Sequence, residues 1–197
     1  MLFNIEAQMK QVVLDTIAIH KKLLADFETG GIEKVITAAE MIVTALKNGG
    51  RVYLCGNGGS ACDAQHVAGE FVGRFKKERN PLPAIAMTAD TAILTCIGND
   101  YSFKDIFVRQ VQALMTEKDI LWAFSTSGKS PNIVEAANAA KVKKAKILAF
   151  TGKSKSTLES MADVCVCIDA PSSGAAQEIH QIAYHIICDL VEQKLCP

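Results

Sequence analysis

The sequence predicts an α/β fold: a five-stranded, mostly parallel sheet flanked by helices and preceded by a helical N-terminal extension. Short apolar runs typical of buried strands alternate with helical segments along residues 51–197. Two helical segments with no strand between them occupy residues 1–50. The 197 residues are 49% hydrophobic and 21% charged, which excludes a disordered or fibrous protein. We therefore expect a single domain over residues 1–197.

Charge and cysteine content limit the partners and the compartment. Lys and Arg number 21 and so do Asp and Glu, so the net charge is zero and we expect neither nucleic acid nor a membrane surface as partner. Seven cysteines, scattered through apolar runs, argue against a disulfide framework and for a reducing compartment. Polar residues interrupt the first ten positions, and no later stretch is apolar enough to span a membrane. These features predict a cytoplasmic protein.

The N-terminal extension is predicted to form two helices. Seven mostly apolar residues of the first are spaced three and four apart: Leu2, Ile5, Met9, Val12, Thr16, Ile19 and Leu23. This heptad stripe fits packing against the next helix or against a partner subunit, and both readings stay open. The second helix lies between Gly30-Gly31 and Asn48-Gly49-Gly50. Its apolar residues are expected to face inward: Ile32, Val35, Ile36, Ala39, Ile42, Val43 and Leu46.

The remaining elements are five strands and the helices between them. The predicted strands are residues 51–55, 83–87, 119–124, 146–150 and 163–168, and an amphipathic helix covers 177–195. Cys165 and Cys167 alternate within the last strand, so we expect both on one face as small buried side chains. Open parallel sheets bind ligands beyond the carboxyl ends of their strands. The candidate site segments are therefore residues 56–60, 88–90 and 125–130.

The glycine-rich loop GNGGS (56–60) leads from the first strand into a helix that is predicted to begin near Ser60. Glycine permits positive φ and close approach of backbone N–H groups to a ligand, and a helix N-terminus favours an anion. We interpret the loop as an anion or sugar site, with a tight turn that binds nothing as the alternative. A nicotinamide cofactor is disfavoured, because no acidic residue is clearly placed about 20 residues after the glycines.

The second candidate loop is rich in hydroxyl groups, which belong to Ser125, Thr126, Ser127 and Ser130. Pro131 favours the first position of a helix, so Ser130 is the predicted N-cap. A cap needs one hydroxyl, and the others are free to bind an anion. Without a Walker lysine pattern or an acidic metal holder, the loop favours a phosphate monoester over a nucleoside triphosphate. The alternative is a Ser/Thr-rich loop without a ligand.

Two helices carry polar residues near these loops. On the helix after GNGGS, four of them share one face: Asp63, His66, Glu70 and Arg74. This face fits a solvated surface with a Glu70–Arg74 ion pair, or a pocket wall in which His66 and Glu70 share a metal ion. The last helix has too many polar residues for simple packing: Gln177, Glu178, His180, Gln181, Tyr184 and His185. Its two histidines are either structural or functional.

Four segments together closely resemble the phosphoheptose isomerase family of the sugar isomerase (SIS) superfamily. They are CGNGGSACDAQHVAGEFVGRF (55–75), IGND (97–100), STSGKS (125–130) and QEIHQIAYH (177–185). The resemblance covers essentially the whole chain. It implies a SIS fold, which is flavodoxin-like or Rossmann-like, with residues 1–50 as the helical extension and 51–197 as an α/β sandwich. It also implies a homotetramer, which agrees with the heptad stripe.

The resemblance further implies a role for each matching residue. The substrate phosphate would be held by Ser125, Thr126, Ser127 and Ser130. The sugar would be contacted by Asn57, Gly58, Gly59, Ser60, Glu70 and Gln177, with Asn99 and Asp100 nearby. The acid/base pair would be Glu70 and His185. Zinc would be bound by His66, Glu70, Gln177 and His185, and no nucleotide cofactor is implied.

The implied reaction converts D-sedoheptulose 7-phosphate, a phosphorylated seven-carbon sugar, to D-glycero-D-manno-heptose 7-phosphate through an enediol. It would be the first step of ADP- or GDP-heptose precursor synthesis, for lipopolysaccharide or another glycan. A carboxylate and an imidazole suffice for such proton transfers. The alternatives are another phosphosugar isomerase and a non-catalytic SIS regulator that binds a replication initiator protein. Glu70 and the intact GNGGS loop argue against the regulator. One departure is Gly174-Ala175-Ala176, where family members often carry Arg or another polar residue.

Overall fold

The computed structural model describes residues 2–196, with side chains from residue 5 onward. Its sheet has five strands: β1 (Val52–Cys55), β2 (Ala84–Ala86), β3 (Ile120–Ser125), β4 (Lys146–Thr151) and β5 (Val164–Cys167). Their order is β2-β1-β3-β4-β5, and every neighbouring pair is parallel. Leu54 in β1 lies opposite Ala86 on one side and Trp122 on the other. The predicted fold class is confirmed.

Within residues 2–196, eight α-helices surround the sheet: α1 (Leu2–Gly30), α2 (Ile32–Lys47), α3 (Gly59–Val72), α4 (Thr91–Asp100), α5 (Val108–Leu114), α6 (Pro131–Val142), α7 (Thr157–Met161) and α8 (Ser173–Leu195). A short 3₁₀ turn, Phe103–Asp105, joins α4 to α5. The helical extension is therefore α1 and α2. In the part of the chain that the structure describes, no helix is both long and apolar enough to cross a membrane.

The sheet separates two hydrophobic layers, because successive side chains of a buried strand point to opposite faces. Leu54, Trp122 and Phe150 face the layer that contains α2, α3 and α8. Tyr53 and Leu121 face the other layer, which contains α5 and α6. Both faces of β1 and β3 are buried, and this explains their uninterrupted apolar sequences.

The heptad stripe of α1 is only partly covered within the chain. Leu23 is buried, whereas Ile5, Met9 and Val12 are 51%, 65% and 65% exposed. Leu2 lies outside the residues whose side chains are described. Intramolecular packing therefore accounts for the C-terminal part of the stripe and leaves its N-terminal part open to solvent.

Two details of the predicted packing are wrong. Ile32 and Ile36, which were expected to face inward, are 50% and 39% exposed. The reason is that α2 buries a narrower face, made of Val35, Ala38, Ala39, Ile42 and Val43. Cys165 and Cys167 do share one face, but they are half-buried, because β5 is an edge strand.

Candidate active site

Both candidate loops lie at the point where the strand order of the sheet changes direction. GNGGS follows β1 and STSGKS follows β3, and these neighbouring strands flank the switch point of the order 2-1-3-4-5. The side-chain amides of Asn57 and Asn132 join the glycine-rich loop to the first turn of α6, which follows the hydroxyl loop, by two reciprocal hydrogen bonds of 2.9 and 2.8 Å. Such a switch point is the place where open α/β sheets bind ligands, so the crevice between the loops is the candidate site.

The hydroxyl groups of the second loop form a cluster. The Ser125 hydroxyl donates to the Ser130 hydroxyl at 3.1 Å, and Ser127 Oγ lies 3.4 Å from Ser125 Oγ. Ser130 is at the N-cap position of α6, but its side chain makes no capping hydrogen bond. The Thr126 hydroxyl donates to Ser173 at the start of α8. Hydroxyl groups and the N-terminus of α6 therefore converge on one small region that is suited to an anion.

The glycine-rich loop lies against α8. Gly58 has a φ of 56°, in the left-handed region that favours glycine. The Gln177 amide donates to the Ser60 hydroxyl at 3.3 Å. A Cβ on Gly59 would lie 2.8 Å from the amide atoms of Gln177, so a larger residue there would displace this amide. The structure thus places Gly58, Gly59, Ser60 and Gln177 together.

Three titratable side chains from α3 and α8 meet between these two helices. His66 Nε2 lies 3.0 Å from Glu70 Oε1 and 3.1 Å from His185 Nε2. One potential metal-binding atom from each of the three residues lies within 4.8 Å of the others. The alternative Glu70–Arg74 ion pair is not formed, because Arg74 lies near Glu78 instead, at 3.8 Å. The polar face of α3 is therefore turned toward α8.

The environment of His185 favours its neutral form. Burial lowers the pKa of this imidazole, and the charge of His66 lowers it further, while Glu70 acts in the opposite direction. The ring of Phe75 stacks on the His185 ring, with a centroid separation of 5.5 Å and an interplanar angle of 24°. A neutral, half-covered imidazole can accept a proton at pH 7.

Sequence reasoning did not assign Asp63, Tyr184 or Phe75 to the site. Burial raises the pKa of Asp63 to about 6, although the charge of His66 and the nearby Tyr184 hydroxyl lower it. The Tyr184 ring also lies 5.6 Å from His66 and 4.8 Å from His185, between centroids. Asp63 and Tyr184 belonged to the predicted polar sets, but periodicity within one helix does not show which residues face each other across two helices.

Two other predicted segments have local partners. Asn99 and Asp100 lie at the exposed end of α4, where the Asn99 amide donates to Asp100 at 2.8 Å and the Cys96 thiol donates to it at 3.4 Å. Asp90, in the candidate segment 88–90, caps α4 by accepting a hydrogen bond from the Ile93 backbone N–H at 2.9 Å. The carboxyl end of β2 therefore serves to start a helix.

The cluster of His66, Glu70 and His185 fits a zinc ion by its donor types and spacing. Zinc prefers imidazole nitrogen, thiolate and carboxylate ligands, and two nitrogen ligands of one tetrahedral zinc lie about 3.3 Å apart. The two imidazole Nε2 atoms here are 3.1 Å apart. Gln177, the fourth residue of the predicted ligand set, lies eight residues before His185 on α8, and its amide contacts Ser60.

Comparisons with known proteins agree with this geometry. Residues 17–152 match the SIS domain family. The phosphoheptose isomerase of Nitratidesulfovibrio vulgaris is 41% identical over 95% of this chain and 90% of its own, and that of Aquifex aeolicus is 46% identical over 83% and 86%. The solved phosphoheptose isomerase of Neisseria gonorrhoeae superposes with a TM-score of 0.89 at 36% identity, covering 94% of this chain and 99% of its own. The chain belongs to the phosphoheptose isomerase family of SIS-domain proteins.

Proposed function

We propose that this protein is an aldose–ketose isomerase that converts D-sedoheptulose 7-phosphate to D-glycero-D-manno-heptose 7-phosphate. The observation that carries the proposal is the meeting of Glu70, His66 and His185, together with the hydroxyl cluster that follows β3. A carboxylate and an imidazole within hydrogen-bond distance of a common partner suit proton transfer. The relatives at 41% and 46% identity are phosphoheptose isomerases.

Substrate binding is assigned to the two loops. Ser125, Thr126, Ser127 and Ser130 hold the phosphate together with the N-terminus of α6. The sugar contacts Gly58, Gly59 and Ser60 by their backbone or hydroxyl groups, with Gln177 beside them. Asn57 contributes mainly through its backbone, because Asn132 already occupies its side-chain amide. Asn99 and Asp100, exposed at the end of α4, are also assigned to the sugar.

The reaction moves one proton between neighbouring carbons. Glu70 takes the proton from C1 of the ketose, while His185 exchanges protons with the oxygens on C1 and C2, so that an enediol forms. The proton is returned to C2, and the O1 hydroxyl loses its proton as the aldehyde forms. The C1–H bond breaks and the C2–H bond forms, so no redox cofactor is needed. The free cysteines take no part.

Zinc is proposed as a bound cofactor. His66, Glu70, Gln177 and His185 would hold it, and its positive charge would favour the enediolate. Glu70 cannot be both a tightly bound ligand and a free base, so its bond to the metal must be weak or exchange with substrate oxygens.

We further propose a homotetramer in the cytoplasm. The exposed apolar stripe of Ile5, Met9 and Val12 supports a partner helix from a second copy of this chain. The seven free cysteines support a reducing compartment. The heptose product would serve ADP- or GDP-heptose synthesis for lipopolysaccharide or another glycan.

The deciding experiment is product analysis by NMR after incubation with sedoheptulose 7-phosphate, with fructose 6-phosphate as a parallel substrate. We expect an aldoheptose 7-phosphate with manno configuration from the first and no comparable turnover of the second. Preferred turnover of another ketose phosphate would assign the chain to a different phosphosugar isomerase. No turnover of any ketose phosphate by folded, zinc-loaded protein would refute an enzymatic function.

A further inference from the structure

The chain after α3 is tied to α8 by a buried ion pair outside the groups assigned to substrate or zinc. Arg79 and Glu192 have side chains that are 4% and 2% exposed, and Arg79 Nε donates to Glu192 Oε2 at 3.0 Å. An ion pair this deeply buried has lost its hydration, so it persists only where further hydrogen bonds satisfy both groups. Both groups have such bonds here.

Glu192 organises the loop that follows α3. Its carboxylate accepts hydrogen bonds from three successive backbone N–H groups, those of Phe75, Lys76 and Lys77, at 3.1, 2.9 and 2.7 Å. Burial alone would raise the pKa of Glu192, but these bonds and Arg79 outweigh it and hold the pKa below its usual value. The carboxylate therefore stays ionised and fixes the backbone of this loop.

Arg79 caps the C-terminal end of α3. Its Nη2 donates to the Glu70 carbonyl at 2.7 Å, and its Nη1 donates to the Phe71 carbonyl at 2.8 Å. Nη1 also lies within hydrogen-bond distance of the Gly73 and Asn80 carbonyls, at 3.3 and 3.2 Å. The last four carbonyls of a helix have no donor within the helix, so this guanidinium supplies what the end of α3 lacks.

Each residue of this pair is connected to one of the two residues that we assign to catalysis, Glu70 and His185. Arg79 holds the backbone of Glu70, and Glu192 holds the backbone of Phe75, whose ring stacks on His185. His185 and Glu192 are seven residues apart on α8, which places them on one face two turns from each other. The Arg79–Glu192 ion pair thus positions the turn of α3 that carries Glu70. It also positions the Phe75 ring, which covers the His185 imidazole.

We propose that Arg79 and Glu192 are positioning residues, which hold Glu70 and the Phe75 ring in register with His185. The catalytic consequence rests on the proposed function, whereas the structural consequence does not. Loss of the pair lets the end of α3 and the Phe75 loop move relative to α8. Outer contacts that orient functional groups are typically worth about 10- to 100-fold in activity.

The test compares Arg79→Lys and Glu192→Gln with the wild-type protein. Arg79→Lys keeps the charge but loses the forked donors that span two carbonyls, and Glu192→Gln keeps the shape but loses the charge. The first readout is the NMR shift of the His185 ring protons, which the stacked Phe75 ring displaces and which needs neither metal nor substrate. The second readout is kcat against KM for sedoheptulose 7-phosphate. We expect the shift that the Phe75 ring causes in the His185 ring protons to become smaller in both variants. We also expect kcat to fall about 10- to 100-fold, with KM within about twofold of the wild-type value.

Two controls separate positioning from general destabilisation. Lys146→Gln removes an exposed ion pair with Asp163 at the opposite edge of the sheet. Ile147→Val removes one methylene from the buried core, and it lowers stability without touching the pair. Both controls should keep the wild-type His185 shift and kcat.

Folded variants with wild-type His185 shifts and kcat within twofold would overturn the proposal. So would a loss of kcat that is fully explained by the unfolded fraction of the variant. If Glu192→Gln does not fold, Arg79→Lys alone decides by the same criteria. If the wild-type protein does not isomerise the sugar, the proposed function fails, and the NMR comparison still decides whether the pair positions Phe75 over His185.

Discussion

Replacing Glu70 with Gln tests the base directly. The amide keeps the shape of the side chain and can still hydrogen-bond to His66, which lies 3.0 Å from the carboxylate. The backbone contact between Arg79 and the Glu70 carbonyl is also unchanged. What is lost is basicity, because a neutral amide cannot take the C1 proton.

The expected loss in turnover is large and the expected loss in stability is small. General base catalysis contributes about 10²- to 10⁴-fold, or roughly 3–5 kcal/mol in activation free energy. The Glu70 side chain is 23% exposed and its partner His66 is 41% exposed. A polar contact that solvent reaches to this extent contributes at most about 1 kcal/mol to folding. Turnover should therefore fall at least about 100-fold while the melting temperature moves by only a few degrees.

The assay is the initial rate of aldose formation, with circular dichroism melting as the check on folding. Glu78→Gln is the matched control, because Glu78 is exposed in the segment after the same helix. Its turnover should stay at the wild-type level. If Glu70→Gln keeps turnover within a few-fold of wild type while folded, Glu70 is not the base and the proposed proton path is wrong.

Four further predictions follow from the geometry. Changing both Ser125 and Ser130 to Ala should mainly raise KM, because hydroxyl bonds to a dianion of roughly 1.5–3 kcal/mol each act on ground and transition states alike; an unchanged KM would move the phosphate to the glycine-rich loop. Burial lowers the pKa of His180 from 6.5 to about 4, so the unfolded chain binds an extra proton in this window and stability is lost as pH falls from about 6.5 to about 4. Urea unfolding at pH 4.5 and 7 should show a smaller pH difference in His180→Asn, and an equal difference would contradict the argument. Changing Ile5 and Val12 to Glu should break the oligomer, as measured by light scattering, and lower the initial rate. A monomer with full activity would show that catalysis does not need the oligomer. Chelator treatment should abolish turnover and added zinc should restore it, whereas unchanged turnover after verified metal removal would leave proton transfer to side chains alone.

The sequence supported the fold because its signals are local. Five apolar runs matched five strands to within two residues at each end, since buried strands and their glycine-rich or hydroxyl-rich ends are written in consecutive residues. The parallel arrangement followed from the helices between the runs. The predicted N-cap position of Ser130 was right, but its hydroxyl turned out to pair with Ser125 instead of the helix backbone.

The tertiary structure alone decided which distant residues meet. His66 and His185 are 119 positions apart, Asn57 and Asn132 are 75 apart, and Arg79 and Glu192 are 113 apart. Helical periodicity places a residue on a face of its own helix, but it does not say how that helix is rotated against its neighbour. The resemblance to a known family indicated the first contact, but nothing in the spacing of Arg79 or Phe75 pointed to α8. Local sequence determined the elements and the chemistry available at the strand ends, and packing of α3 on α8 determined which of those groups can act together.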